Sequence, residues 1–335
     1  MTTQTLTLED AETLIADALI AAGTRDDTAL SVARALVAAE AEGQVGHGFS
    51  RLSDYAAQVR SGKVDGQALP SLTNAGDAAL VIDAGNGFAY PALDLAIPAL
   101  AEAAQKIGCA TAAIHNSHHC GALSVPMARV ADQGLVGMMM ANTPSAMAPW
   151  GAKQPFFGTN PIAFAAPRPG GDPLVIDLSL SRVARGKVMH AKKTGQTIPD
   201  GWALDADGQP TTNPDAALAG SMLPIGEAKG AALALIVEIF ASAMTGANSS
   251  PEVGSFFSAD GPPSGAGQFL MAFRPADPVG FAHRIDRLLT AIDAMEGTRL
   301  PGARRAASLA RASSHGIDVP VEYVTEARAI VGARA

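Results

Sequence analysis

Cysteine, long apolar runs and leader-like segments are all scarce in this sequence. Two cysteines among 335 residues, Cys109 and Cys120, provide no disulfide framework and favour a reducing compartment. The longest apolar run, 231–240, is interrupted by Glu238, and it is much shorter than the roughly 18 residues of a membrane helix. Residues 1–12 lack the basic segment and apolar run of a signal peptide. We therefore expect a cytoplasmic protein without membrane association.

Positive charge is also in the minority. Lys and Arg number 24 against 32 Asp and Glu, which gives a net charge of −8. Binding of nucleic acid or a membrane surface requires clustered positive charge, so the balance argues against both roles. An anionic small-molecule substrate stays possible, because a site can be basic inside an acidic protein.

The common nucleotide-binding motifs are missing as well. No G-x-G-x-x-G follows a predicted strand, and DAGNG (83–87) lacks the third glycine and the later acidic residue of that fingerprint. The P-loop pattern G-x-x-x-x-G-K-[ST] is absent too. A conventional Rossmann domain is therefore not expected.

What is present is the pattern of an α/β protein with helical ends. Apolar residues with a period near 3.6 predict helices within 7–62 and again after residue 274. Residues 247–268 are rich in Ser, Gly and Pro and predict a long irregular loop. Short apolar runs predict buried strands at 80–82, 110–114, 136–140, 162–166 and 174–178. We predict three parts: an N-terminal helical part (1–75), an α/β region (76–274), and C-terminal helices (275–335) that pack with the first part.

His47 and Arg51 are the first candidate site residues. His47 lies between two glycines, which leave its ring open to a ligand. If a helix begins here, residues four apart share one face. A proton donor beside a guanidinium that grips a carboxylate suits a 2-oxo acid. The alternative is that His47 is an ordinary surface histidine in a loop between helices.

Two further groups follow predicted strands, where α/β proteins place ligands. His118 and His119 are adjacent and point in different directions, and Cys120 completes no recognised ligand spacing. We therefore predict no metal site. Asp177 ends another predicted strand, where a carboxylate either caps the next turn or belongs to a site.

Positive charges occur at two places that suit a phosphate. Lys229 lies in GEAKG (226–230) at the start of an apolar helix, and a helix N-terminus can hold a phosphate. Arg299, Arg304 and Arg305 surround a Leu-Pro-Gly turn. The alternative for these arginines is a solvated surface.

Taken together, six segments resemble the type-2 malate/L-lactate dehydrogenase family. Its relatives include sulfolactate and ureidoglycolate dehydrogenases and the Δ1-pyrroline-2-carboxylate and Δ1-piperideine-2-carboxylate reductases. The segments are GHGFSRL (46–52), SHHCGAL (117–123), APWGAKQPFFGTNPIAFAAP (148–167), VIDLSLSRVARGK (175–187), LPIGEAKGAALALIVEIFASAMTGA (223–247) and RLPGARR (299–305). The resemblance implies a non-Rossmann, sulfolactate-dehydrogenase-like α/β fold. In it a mixed, largely antiparallel central sheet is joined to a helical domain formed by both termini, and the protein is a homodimer.

The resemblance also implies roles for individual residues. His47 is implied to be the proton donor, and Asp177 either acts with it or contacts the cofactor. Substrate contacts are implied for Arg51, Thr159, Arg185 and Gly186. Cofactor contacts are implied for His119, Cys120, Gly121, Ala122, Leu123, Asp177, Leu178, Ser179, Lys229, Arg299, Pro301, Gly302, Arg304 and Arg305.

Three positions depart from the pattern common in the family. Gly46 stands where many relatives carry a serine that can relay charge to the histidine. Glu227 replaces a glycine next to the expected phosphate, which bears on the choice between NADP and NAD. Cys120 replaces a phenylalanine.

The expected activity is therefore that of an NAD- or NADP-dependent oxidoreductase acting at C2 of a small 2-oxo or 2-hydroxy acid. The alternative is a reductase of a cyclic imino acid, and a remote alternative is a non-redox metal hydrolase or binding dimer. The 247–268 loop, with Phe256 and Phe257, is expected to select the substrate, or else to be a dimer contact or disordered surface.

Overall fold

The computed structural model describes residues 2–333, and this range contains eleven α-helices. The first begins where the Thr7 side chain accepts a hydrogen bond from the Asp10 amide, and it ends at Gly23 in a left-handed conformation. The helices are α1 Leu8–Ala22, α2 Asp26–Ala41, α3 Leu52–Arg60, α4 Ala89–Ile107, α5 Ser124–Ala131, α6 Arg185–Lys193, α7 Pro214–Ala219, α8 Ala228–Glu238, α9 Pro278–Asp293, α10 Ala303–His315 and α11 Val321–Gly332. None of them, within residues 2–333, combines the length and apolarity needed to cross a bilayer.

A seven-stranded sheet forms the centre of the protein, with the strand order β2-β3-β4-β11-β5-β6-β7. The β3–β4 pair is parallel and the other neighbouring pairs are antiparallel. This confirms the prediction of a mixed, largely antiparallel sheet. The strands of the protein are β1 Thr3–Leu6, β2 Ser71–Gly76, β3 Ala79–Asp83, β4 Cys109–Ser117, β5 Val136–Ala141, β6 Ile162–Ala166, β7 Leu174–Leu178, β8 Ala203–Leu204, β9 Pro210–Thr211, β10 Ser221–Met222, β11 Ala266–Phe273 and β12 Ile317–Pro320.

Helices cover both faces of this sheet. Successive side chains of a strand point to opposite faces, and in β11 Leu270 packs with α4 and α5 while Met271 packs on the side of α8. A strand buried on both faces has a continuous apolar run rather than an alternating one. In β11, the fourth of the seven strands, this run is FLMAF (269–273), and the first residues, AGQ, continue the glycine-rich stretch before it. The sequence therefore predicts no strand here, and the irregular loop ends at Ala266 rather than at residue 268.

The two ends of the chain meet in one helical unit. Strands β1 and β12 pair antiparallel, with Leu6 opposite Ile317. Around them α1, α2, α3 and α11 share a core that includes Ile15, Leu36 and Val324. Helix α9 packs elsewhere, with Ile285 and Leu289 against β6 and β7. The division of the chain at residues 75 and 274 stays a prediction.

Candidate active site

The loop after α2 holds His47 and Arg51 through hydrogen bonds inside the loop and one buried carboxylate. It consists of two short 3-10 turns, Val45–His47 and Phe49–Arg51. The Arg51 Nε donates to the Gly46 carbonyl at 2.7 Å. Glu40 accepts from the Phe49 amide at 2.9 Å, and burial raises the pKa of Glu40 to about 7. A Cβ on Gly48 would collide with the Glu40 carboxylate, so a side chain at this position would displace Glu40 from the Phe49 amide.

His47 is half-buried and its ring stacks on that of His119. The ring centroids are 5.3 Å apart and the planes are inclined by 25°. Its Nδ1 is buried and has no hydrogen-bond partner among residues 2–333. Burial, and then the positive charge of Arg51, lower the pKa of His47 to about 4. The imidazole is therefore neutral at pH 7 and able to accept a proton.

His119 lies at one end of a hydrogen-bonded series that contains two buried tyrosine hydroxyl groups. Its Nδ1 lies 2.6 Å from the Tyr55 hydroxyl, which lies 3.0 Å from the Tyr90 hydroxyl. If Tyr90 donates to Tyr55 and Tyr55 donates to His119 Nδ1, both phenolic hydrogens are bonded. If instead Nδ1 donates to Tyr55 and Tyr55 donates to Tyr90, the hydrogen of the buried Tyr90 hydroxyl has no acceptor. We infer that the His119 proton is on Nε2. Burial, and then the charges of Arg51 and His47, hold the pKa of His119 well below its usual value.

Arg51 is nearly buried and faces an aromatic ring. Its guanidinium carbon lies 4.4 Å from the centroid of Phe257, a cation–π distance. Among residues 2–333, its Nε has a protein hydrogen-bond partner and its two Nη groups have none. The Nη edge is therefore available for a bidentate contact with a carboxylate.

His118 lies on the other side of this cluster, in apolar surroundings. It makes edge contacts with the rings of Tyr55, Phe88 and Phe256, and neither ring nitrogen has a partner in the described chain. Burial, and then the charges of Lys63 and Arg51, lower the pKa of His118 to about 3. Residues 2–333 contain no group of three or more His, Cys, Asp or Glu side chains arranged to hold a metal ion.

Asp177 caps a helix. Its Oδ2 accepts from the amide of Ser124, the first residue of α5, at 3.0 Å, so its partner is this amide rather than His47. The Ser124 hydroxyl donates to Glu42 at 2.6 Å, which places a second carboxylate nearby. Burial raises the pKa of Asp177 to about 6, against the lowering effects of Ser124 and Arg305.

Two predicted substrate residues border the segment after β5. The Thr159 amide donates to the Thr143 hydroxyl at 2.9 Å, and an Arg185 Nη donates to the Ser145 carbonyl at 3.1 Å. Gly186 follows Arg185 in α6, with open space where a side chain would be. The Ser145 amide donates to the Ser250 carbonyl at 3.1 Å, which connects this segment to the loop before β11.

The predicted cofactor positions 119–123 are mostly buried. Cys120 and Leu123 pack in the core beneath the sheet, and Ala122 is buried too. Burial, and then the Asp177 charge, raise the pKa of the Cys120 thiol to about 12. Gly121 has a φ of 66°, and a Cβ there would lie 2.7 Å from the Tyr90 hydroxyl. The Cys120 and Leu123 side chains are therefore enclosed in the core.

The positive residues predicted to contact a phosphate fall into two groups. Lys229, Arg299 and Arg304 are exposed. Arg305 is engaged within the protein: an Nη donates to the Val175 carbonyl at 2.8 Å and its Nε lies 3.5 Å from Glu42. Leu178 is half exposed at the end of β7, with Ser179 after it, and Gly302 takes a left-handed conformation after Pro301.

Sequence reasoning missed three residues that shape the site: Glu40, Tyr55 and Lys63. Glu40 lies inside a predicted helix and resembles any solvated glutamate of that helix. Tyr55 had a usable signal, because it lies one helical turn after Arg51 and is one of three tyrosines in the chain. Lys63 donates hydrogen bonds to a loop far along the chain, at Ser255, Ser258 and Asp260, and no local pattern reveals it.

Comparison with known proteins identifies the family. The profile of the family described as malate/L-lactate dehydrogenase matches residues 6–327. The chain belongs to this family. It is 48% identical over 330 residues to the (2R)-3-sulfolactate dehydrogenase (NADP(+)) of Chromohalobacter salexigens, covering 98% of each chain. It is 38% identical over 330 residues to a Δ1-pyrroline-2-carboxylate reductase of Ancylobacter novellus, covering 97% of each.

A solved structure supports the fold. The crystal structure of Δ1-piperideine-2-carboxylate reductase from Pseudomonas syringae pathovar tomato matches with a TM-score of 0.92 at 38% identity, over 98% of this chain and all of that one. As a member of the malate/L-lactate dehydrogenase family, the chain is an NAD(P)-dependent oxidoreductase. The predictions of the family, the non-Rossmann fold and the class of activity are thereby confirmed.

Proposed function

We propose that this dehydrogenase transfers a hydride between NADP(H) and C2 of a small 2-oxo acid, of the sulfopyruvate, oxaloacetate or pyruvate type. The observation that carries the proposal is the convergence of His47, His119 and Arg51. Two neutral imidazoles lie beside a guanidinium whose Nη groups are free of protein partners in residues 2–333. The NADP(+)-dependent sulfolactate dehydrogenase at 48% identity supports this substrate class and this cofactor.

In this proposal Arg51 binds the substrate carboxylate bidentately and fixes the orientation of C2. Thr159, Arg185 and Gly186 contact the rest of the substrate. Arg185 suits an anionic group, because it is a partly buried cation with one protein acceptor, Ser145, among the described residues.

Bound NADPH supplies the hydride. His47 donates the proton to the substrate oxygen during reduction and accepts it during oxidation. Burial, and then the charge of Arg51, lower the pKa of His47. A carboxylate bound to Arg51 offsets the second of these effects and favours the protonated imidazole. His119, with its proton on Nε2, donates a hydrogen bond towards the reacting oxygen. Asp177 orients α5, and its participation in proton transfer with His47 is the alternative.

The residues present fit an NADP cofactor in two respects. Exposed Lys229 at the start of α8 and exposed Arg299 and Arg304 offer positive charge to phosphates. The backbone between His119 and Leu123, where Gly121 packs against the Tyr90 hydroxyl, is the second proposed contact. The backbone of Asp177, Leu178 and Ser179, and the turn with Pro301, Gly302 and Arg305, complete the proposed cofactor contacts.

Reduction of a cyclic imino acid is the second candidate, and one observation favours it. Phe256 and Phe257 provide an apolar wall beside Arg51 and His119 that suits the methylene groups of a ring. An iminium already carries its proton on nitrogen and needs less help from His47. The Δ1-pyrroline-2-carboxylate reductase at 38% identity supports this possibility.

We also propose a cytoplasmic homodimer, with α8 at the interface. Five apolar residues of α8 and the helical turn after it are between 37% and 55% exposed. A patch of this kind on a soluble protein marks a contact surface. The residues are Leu233, Leu235, Ile236, Ile239 and Met244.

The substrate is tested by following NADPH oxidation with two sets of acids. One set contains sulfopyruvate, oxaloacetate and pyruvate, and the other contains Δ1-pyrroline-2-carboxylate and Δ1-piperideine-2-carboxylate. We expect turnover of the first set. Turnover of the imines alone would replace the principal proposal with the second, and no turnover with either set would overturn both.

A further inference from the structure

Three side chains from one short stretch hold the loop at residues 255–260. Lys63 Nζ donates to the carbonyls of Ser255, Ser258 and Asp260 at 2.7, 2.9 and 3.0 Å. Gln58 Nε2 donates to the Phe256 carbonyl at 3.0 Å, and Ser61 Oγ donates to the Ala259 carbonyl at 2.8 Å. Of the six carbonyls at residues 255–260, that of Phe257 accepts no hydrogen bond from these three side chains.

Lys63 is the centre of this arrangement. The residue is 3% exposed, and a buried ammonium group is costly unless its hydrogens are bonded. An ammonium has three hydrogens, and here each has one carbonyl acceptor. Removal of the ammonium would leave three loop carbonyls without their donor at once.

The loop carries two rings that touch the proposed substrate site. Phe256 is buried, with its ring 5.0 Å from that of His119 and 5.4 Å from that of His118. Phe257 is 40% exposed and lies 4.4 Å from the Arg51 guanidinium. The position of the loop therefore determines which face of Arg51 is covered and how much space is left beside it.

We propose that Lys63 is a positioning residue for substrate selection. By fixing loop 255–260 it holds the Phe257 ring on Arg51, orients the free Nη edge, and limits the length of the acid that fits. The inference rests on the proposed role of Arg51 in binding the substrate carboxylate. It assigns no part in proton or hydride transfer to Lys63, so its loss acts on substrate binding.

The test compares Lys63→Met with Lys106→Met, which removes a positive charge from the exposed end of α4. Hydrogen exchange measured by mass spectrometry reports on residues 255–260 without any substrate. Kinetics with NADPH use pyruvate, 2-oxohexanoate and Δ1-pyrroline-2-carboxylate.

For Lys63→Met we expect faster exchange in the loop and an increase of about tenfold in KM for the best of these acids. We also expect a nearly unchanged kcat and a nearly unchanged KM for NADPH. The preference for pyruvate over 2-oxohexanoate should become weaker.

Phe257→Leu provides a second variant, which removes the ring and keeps all of the loop's bonds to Lys63. It should raise KM and weaken the preference in the same way, with wild-type exchange in the loop. Unchanged exchange in Lys63→Met, or a loosened loop with unchanged KM and preference, would overturn the inference. If the wild-type enzyme reduces none of the acids, the proposed function fails, and the exchange measurement still decides whether Lys63 holds the loop.

Discussion

His47, Arg51 and His119 form a group whose charges are set by burial and by one another. Burial removes the stabilising hydration of an imidazolium, and the neighbouring guanidinium adds repulsion. Both effects lower the pKa of His47, to about 4, and the pKa of His119. The group therefore carries one positive charge at neutral pH, that of Arg51, and this charge suits a monoanionic carboxylate.

This charge arrangement predicts opposite pH dependences for the two directions of the reaction. Oxidation of a 2-hydroxy acid requires neutral His47, so its kcat/KM should be constant above about pH 5 and fall as the pH drops through about 4. Reduction of a 2-oxo acid requires protonated His47, so its kcat/KM should fall steadily as the pH rises from 5 to 8. Initial rates measured in both directions across this range check the prediction. A reduction rate that stays constant up to pH 8 would argue against His47 as the acid.

At the scale of elements, the sequence predicts helices with a clear apolar period and strands with a compact apolar run, and it misses strands in which apolar and polar residues are mixed. Helices α1, α2 and α3 lie within the predicted helical range 7–62, and strands β5, β6 and β7 agree with their predicted positions within a few residues. The central strand β11 was missed because its first residues, AGQ (266–268), continue the long glycine-rich loop, although FLMAF (269–273) is an apolar run. Strand β2, with the sequence SLTNAG, was missed because it is an exposed edge strand with little apolar signal.

The start of α8 contains a residue in an unfavourable conformation. Glu227 has φ 57° and ψ −126°, a region that glycine tolerates far better than other residues. We expect Glu227→Gly to stabilise the protein by about 1 kcal/mol, detected as a higher Tm. Glu227→Gln is the matched control, because it removes the charge and keeps the side chain.

The same pair of variants tests the effect of the Glu227 charge on the cofactor. If the carboxylate opposes a phosphate bound near Lys229, both variants should bind NADPH more tightly, while the rise in Tm should appear in Glu227→Gly alone. Unchanged NADPH affinity in both would place the phosphate elsewhere.

At the scale of the whole molecule, the site draws on parts of the chain that sequence reasoning treats separately. His47 and Arg51 come from the N-terminal helical part, His119 follows β4, and Phe257 belongs to the loop before β11. The resemblance to the family identified most of these residues individually. Their mutual contacts, the Tyr90–Tyr55–His119 chain and the Lys63 bonds, depend on packing between distant segments, which no local pattern encodes.

The exposed face of α8 gives a prediction about assembly. Ile236 is 45% exposed within the apolar patch, so Ile236→Lys should convert the proposed dimer to a monomer. Light scattering coupled to size-exclusion chromatography measures the mass. Leu288→Lys on α9 is the control, since Leu288 is 59% exposed outside this patch, and it should leave the mass unchanged. A wild-type protein that is already monomeric would contradict the assignment of α8 as an interface.

The most direct test of the central claim is the steady-state kinetics of His47→Ala with NADPH and sulfopyruvate, with His283→Ala on the exposed surface of α9 as the control. If His47 is the proton donor to the substrate oxygen, kcat should fall by about 10²- to 10⁴-fold, with a much smaller change in KM and wild-type rates for His283→Ala. A kcat for His47→Ala close to that of the wild-type enzyme would show that the proton comes from another group.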